Sequence, residues 1–389
     1  MPVLIQENLS EGNPWGIQFL RMFDMAGDSY LFQTHQQLEA EGYKLAGSTF
    51  QMNDQTYLPL YEAKMLHHFD HRFGTYLGQT EAQANQSKLP ELNDIQHSDP
   101  NIVALPRYWV PYHEVVGRLS GKWNCTWLLG WRDITNTTNE RTVIASILPL
   151  AACGDTILLI LPSTEHRQLL PLLAVCLDTY VLDYTARQKV GGTHLKYHVF
   201  KQLPVLPPTT YVQSTPWFPS KALYEWLLPV VLELTYTAWN LELFATDCGY
   251  DGPPFGWDEE RRFLLRCELD AAYFHLYGIR RDDVDHILET FPIVKRKDEQ
   301  AHGEYRTKRV ILDIYDAMQQ AMETGTSYHT RLAPPPANGW TPPEITLEVV
   351  TGRQSDRAKE DTAANSSDDV QRRAEISEIQ PKLHFASEG

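Results

Sequence analysis

The chain has 389 residues and a mass of 44.7 kDa, with 34 Lys and Arg against 50 Asp and Glu for a formal net charge of −16. That length has room for two or three domains, and the charge excludes a protein that coats nucleic acid or an anionic membrane by bulk attraction. No apolar run approaches the roughly 18 residues of a membrane helix. The five cysteines (125, 153, 176, 248 and 267) form no Cys-x-x-Cys pair and read as reduced, mostly buried thiols of a soluble, cytoplasmic protein.

In chain order, residues 1–55 are polar with few periodic segments. Leu58 to Tyr76 predicts local order, and Glu81 to Pro100 a polar loop rich in Gln, Asn and Asp. The character changes at Arg107. Asn124 to Trp131, Thr142 to Leu148 and Thr156 to Leu161 are β-branched or aromatic runs between turn residues, and they predict strands of a small sheet. Leu173, Leu177, Tyr180 and Tyr184 then recur at helical spacing, in a helix that Gly191-Gly192 is expected to stop. Tyr197 to Lys201 reads as a further strand, running into the linker Leu203 to Pro208.

From Pro219 to Gly325 the pattern is helical. Pro229 suits the first turn of a helix with Leu232, Tyr236, Trp239 and Leu243 on one face. Asp258 and Gly278 bound a second helix; Asp282 and Phe291-Pro292 bound a third. A fourth carries the stripe Ile311, Ile314, Tyr315, Met318 and Met322, with Gly325 as its stop. From Pro334 the composition is that of a disordered tail. No internal repeat occurs. The expected fold class is α+β: a small mixed sheet with packed helices, then a helical C-terminal region.

Charge is unevenly distributed. Residues 1–101 hold 5 basic and 13 acidic side chains (−8), 102–210 hold 10 and 7 (+3), 211–340 hold 13 and 20 (−7), and 341–389 hold 6 and 10 (−4). In the basic block Arg132, Arg141, Arg187, Lys189, Lys196 and Lys201 are interleaved with Trp127, Trp131, Tyr184, His194 and Tyr197. Arg and Lys suit phosphate contact and guanine reading, and the turn Gly191-Gly192-Thr193-His194 suits close approach to a phosphate. Solvated charge on a small sheet is the competing reading.

Other chemistry is weaker. An amino-methyltransferase needs a Gly-rich turn beneath S-adenosylmethionine and an Asn/Asp/Ser-Pro-Pro-aromatic tetrapeptide. Here Gly252-Pro253-Pro254-Phe255 lacks the side-chain acceptor and no Gly-x-Gly occurs, so it reads as an inter-helix turn. Asp54 with Glu62-Ala63-Lys64 loosely fits a Mg²⁺-dependent nuclease pattern that is common by chance. His67 and His71, four apart in His-His-Phe-Asp-His, suit a metal on one helix face, but packing beside Phe69 and Phe73 explains them better. No cofactor or metal site is therefore expected in this chain.

Several stretches are familiar together. They are Asn13-Pro14-Trp15-Gly16, Pro59 to Met65 leading to Phe69-Asp70-His71-Arg72, Arg107 to Pro111, Arg132-Asp133-Ile134, Asn139 to Thr142, Ala186 to His194, Lys201 to Pro204, and Asp282 to Ile293. In this order, from about Asn13 to Pro336, the chain resembles the C-terminal half of N6-adenine DNA methyltransferases of restriction–modification and phage-defence systems, the type IIG enzymes among them. The resemblance implies a connecting segment over 1–101, a target recognition domain over 102–210, a helical domain over 211–330 and an acidic tail over 331–389. It implies sequence-specific binding of double-stranded DNA, with Arg187, Lys189, Gly191, Gly192, Thr193 and His194 matching residue for residue; the basic block adds Arg132, Arg141, Lys196 and Lys201, and no catalytic residue is expected in this chain. S-adenosylmethionine and the methyl transfer are expected on a catalytic domain or subunit that partners it. The alternatives are a nuclease subunit and a helical scaffold docking a methyltransferase. Charge reversal at Arg187 and Lys189 is expected to weaken DNA binding, and loss of 341–389 is not.

Overall fold

The computed structural model describes residues 3–345, the side chains of 164–166 excepted. The fold is α+β, with antiparallel sheets in the first half and helices dominating the second. The strands are β1 (Gln18–Leu20), β2 (Lys44–Ala46), β3 (Thr49–Met52), β4 (Gln55–Tyr61), β5 (Trp109–Pro111), β6 (Trp127–Arg132), β7 (Ala145–Pro149), β8 (Ala152–Cys153) and β9 (Ile157–Leu161). Helices of eight or more residues are α1 (Tyr112–Leu119), α2 (Leu170–Asp178), α3 (Tyr180–Lys189), α4 (Leu223–Thr235), α5 (Glu259–Leu276), α6 (Arg281–Glu289), α7 (Pro292–His302) and α8 (Arg306–Thr324).

One sheet has the order β1-β9-β6-β7, all antiparallel, with Leu129 facing Ile147 on one side and Ile160 on the other. Every residue of β7 and β9 is buried, because the sheet is covered on both faces; this is why both strands read as unbroken apolar runs. A Cβ on Gly130, in the middle of β6, would lie 2.8 Å from Ile157 Cγ2, so the close strand contact requires glycine there. The second sheet runs β2-β3-β4-β5, with β8 added parallel to the end of β4, and supplies the mixed pairing. Leu38, Tyr43, Phe50 and Trp109 form its core.

These pairings cross the boundary expected at 101/102. β1 joins the sheet of 127–161, and β5 pairs with β4. The described residues fall in one compact unit that extends to Ile345. Residues 334–345, expected to be disordered, pack instead: Arg261 Nη1 donates to the Pro334 carbonyl (2.9 Å) and the Ala337 N–H to Glu233 Oε2 (2.8 Å). The rest of the expected tail lies outside the described residues.

Several predicted elements form differently. The apolar spacing through Leu173, Leu177, Tyr180 and Tyr184 belongs to two helices, broken at Thr179, whose backbone is extended. The cause is tertiary: Asp270 of α5 accepts the Tyr180 N–H at 2.7 Å and so caps α3 from outside the segment. α3 ends at Lys189, and Gly191 and Gly192 have no positive φ, so they are not its stop. Tyr197–Phe200 is a helical turn rather than a strand, which lays Phe200 flat on Trp131 at 4.0 Å. Phe218–Ala222 is a hairpin strand paired with Ser214–Thr215. Short helices occur at Glu81–Asn85 and Asp94–Ser98, inside the expected loop.

Pro229 lies inside α4, not in its first turn, because the helix starts six residues earlier, where Glu225 Oε2 accepts the Ala222 N–H. Trp239 and Leu243 fall beyond its end. Asp258 caps α5 by accepting the Arg261 N–H at 2.8 Å, and Gly278 follows with φ +65°. Asp282 sits in the first turn of α6 rather than at its cap, where its charge complements the helix dipole. Pro292 opens α7 instead of only ending α6. α8 buries Ile311, Ile314, Tyr315 and Met318 against α5, with Tyr315 stacked on His275 at 3.8 Å, and leaves Met322 exposed.

Candidate nucleic-acid interface

The residues proposed from the basic block separate into an internal group and an exposed turn. β6 ends at Arg132, and its next residue, Asp133, turns inward at 3% side-chain exposure. Asp133 Oδ2 accepts from His194 Nδ1 at 2.8 Å and from Lys196 Nζ at 2.5 Å. Backbone bonds from Thr135 N to Thr193 O (3.0 Å) and from Leu195 N to Asp133 O (2.8 Å) lay 193–195 along 133–135. The turn that follows α3 is thus pinned by one buried carboxylate. His194 and Lys196 remain 49% and 43% exposed, and with Nδ1 donating to Asp133 the His194 Nε2 faces outward as a hydrogen-bond acceptor. Lys189, Gly191, Gly192 and Thr193 are exposed, and open space surrounds both glycines. Ile134, beside His194, is an exposed apolar side chain.

The arginines do not join them. Arg132 Nε donates to the Leu66 carbonyl at 2.9 Å, its guanidinium faces the Phe73 ring, and burial pulls its pKa down to about 10. Arg141 donates to Asp183 (2.9 Å) and to the Asp178 carbonyl (2.5 Å), with its guanidinium 4.1 Å from the Tyr180 ring centroid. Arg187 donates to Asp183 (3.2 Å) and to the carbonyls of Asn139, Glu140 and Thr290, over the Phe291 ring. All three guanidinium groups are engaged inside the fold, so direct DNA contact by Arg132, Arg141 and Arg187 is corrected to a structural role. Lys201 lies apart, paired with Glu7 at 2.6 Å. Trp127 and Trp131 are core residues: their indole N–H groups donate to Asp247 Oδ2 and the Leu195 carbonyl, each at 2.9 Å. Tyr197 stacks on Phe19 at 5.0 Å.

The other candidates do not assemble. Asp54 lies in the turn before β4 and Glu62 just past its far end, roughly 25 Å apart at the rise of an extended strand. Glu62 accepts the Tyr76 hydroxyl at 2.7 Å. His67 to His71 is a tight turn with Phe69 at φ +55°, not a helix, so His67 and His71 share no helix face. Among the described residues no three His, Cys, Asp or Glu converge on a metal position. Gly252 to Phe255 forms part of the connection between helices, with the Phe255 N–H donating to the Tyr236 carbonyl at 2.8 Å.

His71 is 1% exposed, and its Nε2–H donates to Asn240 Oδ1 at 2.8 Å. Burial, then the neighbouring Arg72, lower its pKa to about 4. The unfolded chain therefore takes up the proton first as pH falls below the ordinary histidine value, and the folded state loses stability through that window. Between pH 6.5 and 5 this amounts to about 2 kcal/mol. Urea midpoints measured across that range should fall more steeply for the native protein than for His71→Gln. Parallel curves would remove His71 as the cause. Asp270, whose raised carboxyl acts in the opposite sense, contributes equally to both proteins.

Sequence reasoning missed Asp133 and Asp183, the two carboxylates that organise this region. The Asp183–Arg187 spacing on one helix was a signal; the burial was not visible. No protein-family model, no curated protein and no solved structure matches the chain.

Proposed function

We propose that this chain is the sequence-specific DNA-recognition portion of an adenine-specific (N6) DNA methyltransferase of a restriction–modification or phage-defence system. It presents duplex DNA in the cytoplasm to a catalytic domain or subunit that holds S-adenosylmethionine. The observation that carries the reading is the turn from Lys189 to Lys196, which is exposed, cationic and fixed from beneath by Asp133. Lys189 and Lys196 suit phosphate contact, and the outward Nε2 of His194 suits a donor such as a base amino group. The motif resemblance over Ala186 to His194 supports the same segment. Among the described residues no single helix is long and apolar enough to cross a membrane.

The test is a mobility shift on mixed duplexes at low salt, where phosphate contacts are strongest. The native chain is expected to bind. Lys189→Glu with Lys196→Ala should weaken binding tenfold or more and lower the salt slope by about 2. Absence of binding by the native chain, or unchanged binding by the double variant, would sink the reading. Arg187→Glu is unsuitable as a probe, because it would set a second carboxylate against Asp183.

A further inference from the structure

A second exposed segment stands beside the cationic turn. The loop over 133–141 leaves β6 and leads to β7, and at its start it pairs with that turn: Ile134 bridges to His194, and the Thr135 N–H donates to the Thr193 carbonyl at 3.0 Å. At its far end Arg187 Nη2 donates to the carbonyls of Asn139 (2.9 Å) and Glu140 (2.8 Å), and Lys297 of α7 pairs with Glu140 at 2.5 Å. Between these anchors the loop closes on itself. The Asn139 N–H donates to the Asn136 carbonyl at 3.0 Å, and Asn136 Oδ1 accepts from the Thr138 N–H and hydroxyl, each at 3.0 Å. The Thr135 hydroxyl donates to the Thr142 carbonyl at 2.6 Å.

Holding the loop uses the side chains of Thr135, Asn136, Thr138, Glu140 and Arg141. Asn139 differs from them. Both its backbone groups are engaged, whereas its exposed side-chain amide makes no hydrogen bond among the described residues. Ile134 lies between the buried Asp133 and Thr135, so alternation along the bridged stretch turns it outward, 53% exposed. Lysines meet phosphates, which repeat at every step of a duplex and carry no sequence information. Sequence is read by side chains that match a base edge and stand next to those phosphate contacts on backbone that does not move. An asparagine amide matches the N6 and N7 edge of adenine, and an apolar side chain matches the thymine methyl, both in the major groove. The loop offers one of each beside His194 and Lys196.

We propose that Asn139 and Ile134 are specificity-determining residues of this interface, Asn139 pairing with an adenine edge and Ile134 covering a thymine methyl. The inference rests on the DNA-recognition reading above and adds the side chains that select sequence. It is tested by site selection with the full chain from duplexes randomised at their centre. The selected duplex and a scrambled one are then titrated at one salt concentration, with circular dichroism as a check of folding. The native chain should select a site. Asn139→Ala should lose the preference for adenine at one position, narrowing the ratio of selected to scrambled affinity about tenfold, with scrambled-duplex affinity and salt slope unchanged. Asn139→Asp should move the preference there toward cytosine, whose amino group a carboxylate accepts. Ile134→Ser should relax the preference at a second position. Folded Asn139→Ala and Ile134→Ser variants that select the native site unchanged, or weaken both duplexes equally, would overturn the proposal and leave the cationic turn as the DNA contact. A native chain that selects no site would overturn the recognition reading itself, and this inference with it.

Discussion

Asp183→Ala is expected to remove about 3–5 kcal/mol of folding stability. Asp183 is fully buried and accepts from Arg141 Nε at 2.9 Å, from Arg187 Nε at 3.2 Å and from the Thr142 N–H at 2.9 Å. Alanine leaves two buried guanidinium groups without their carboxylate. Breaking a buried pair in this one-sided way costs about 3–5 kcal/mol, against a typical total stability of about 5–15 kcal/mol. Asp183→Asn keeps an acceptor for Thr142 and should fall between the two. Adding Arg141→Met to Asp183→Ala should recover part of the loss, since one of the unpaired charges goes with it. Urea denaturation of the four proteins measures this. A loss below about 1 kcal/mol for Asp183→Ala would show that water reaches the cluster and replaces the carboxylate.

Arg72→Met is expected to have a comparable effect for a different reason. Arg72 is 0% exposed. Its Nη1 donates to the carbonyls of Asp99 (3.0 Å) and Ile102 (2.6 Å), and its Nη2 to those of His97 (3.0 Å) and Thr237 (3.1 Å). One side chain thus ties the 97–102 segment to the stretch that follows α4. Methionine fills much of the space but leaves the carbonyls of His97, Ile102 and Thr237 without a donor, while that of Asp99 keeps the Ile102 N–H at 3.2 Å. At about 1–3 kcal/mol for each unsatisfied buried group, partly relieved by relaxation, a loss of about 3 kcal/mol or more follows. Arg72→Lys retains a charge but not the planar fork, so it should recover only part of it. Burial holds Arg262 at about 9, and Arg72 adds to that by like-charge repulsion. Removing Arg72 relieves this term and softens the loss. Hydrogen exchange should show faster opening at 97–102 and near 237 than in α8. A uniform change across the chain would contradict the local tie.

Much of the secondary structure was legible because it is written locally. β6, β7 and β9 follow from short runs of apolar and β-branched residues. The bounds of α5 follow from Asp258 and Gly278, and the buried stripe of α8 from its spacing. The interface was legible in part. The charge count located a basic segment, and Lys189, Gly191 to His194 and Lys196 do lie together on the surface. The same count could not tell an exposed lysine from a guanidinium turned inward, as at Arg132, Arg141 and Arg187.

What the sequence determined by itself is the set of local choices: where strands and helices can form, where a cap or glycine ends them, and where charge is concentrated. Tertiary structure decided the rest, because the deciding partners are distant in the chain. Asp270 breaks one apolar stripe into α2 and α3 from 90 residues away. Phe200 becomes helical to lie on Trp131. Asp133 fixes the exposed turn through His194 and Lys196, about 60 residues further on. In each case a buried polar group or ring must be satisfied where it comes to rest. That requirement outweighs the small local preferences a sequence reveals, since an unmet buried hydrogen bond costs more than a propensity difference of under about 1 kcal/mol.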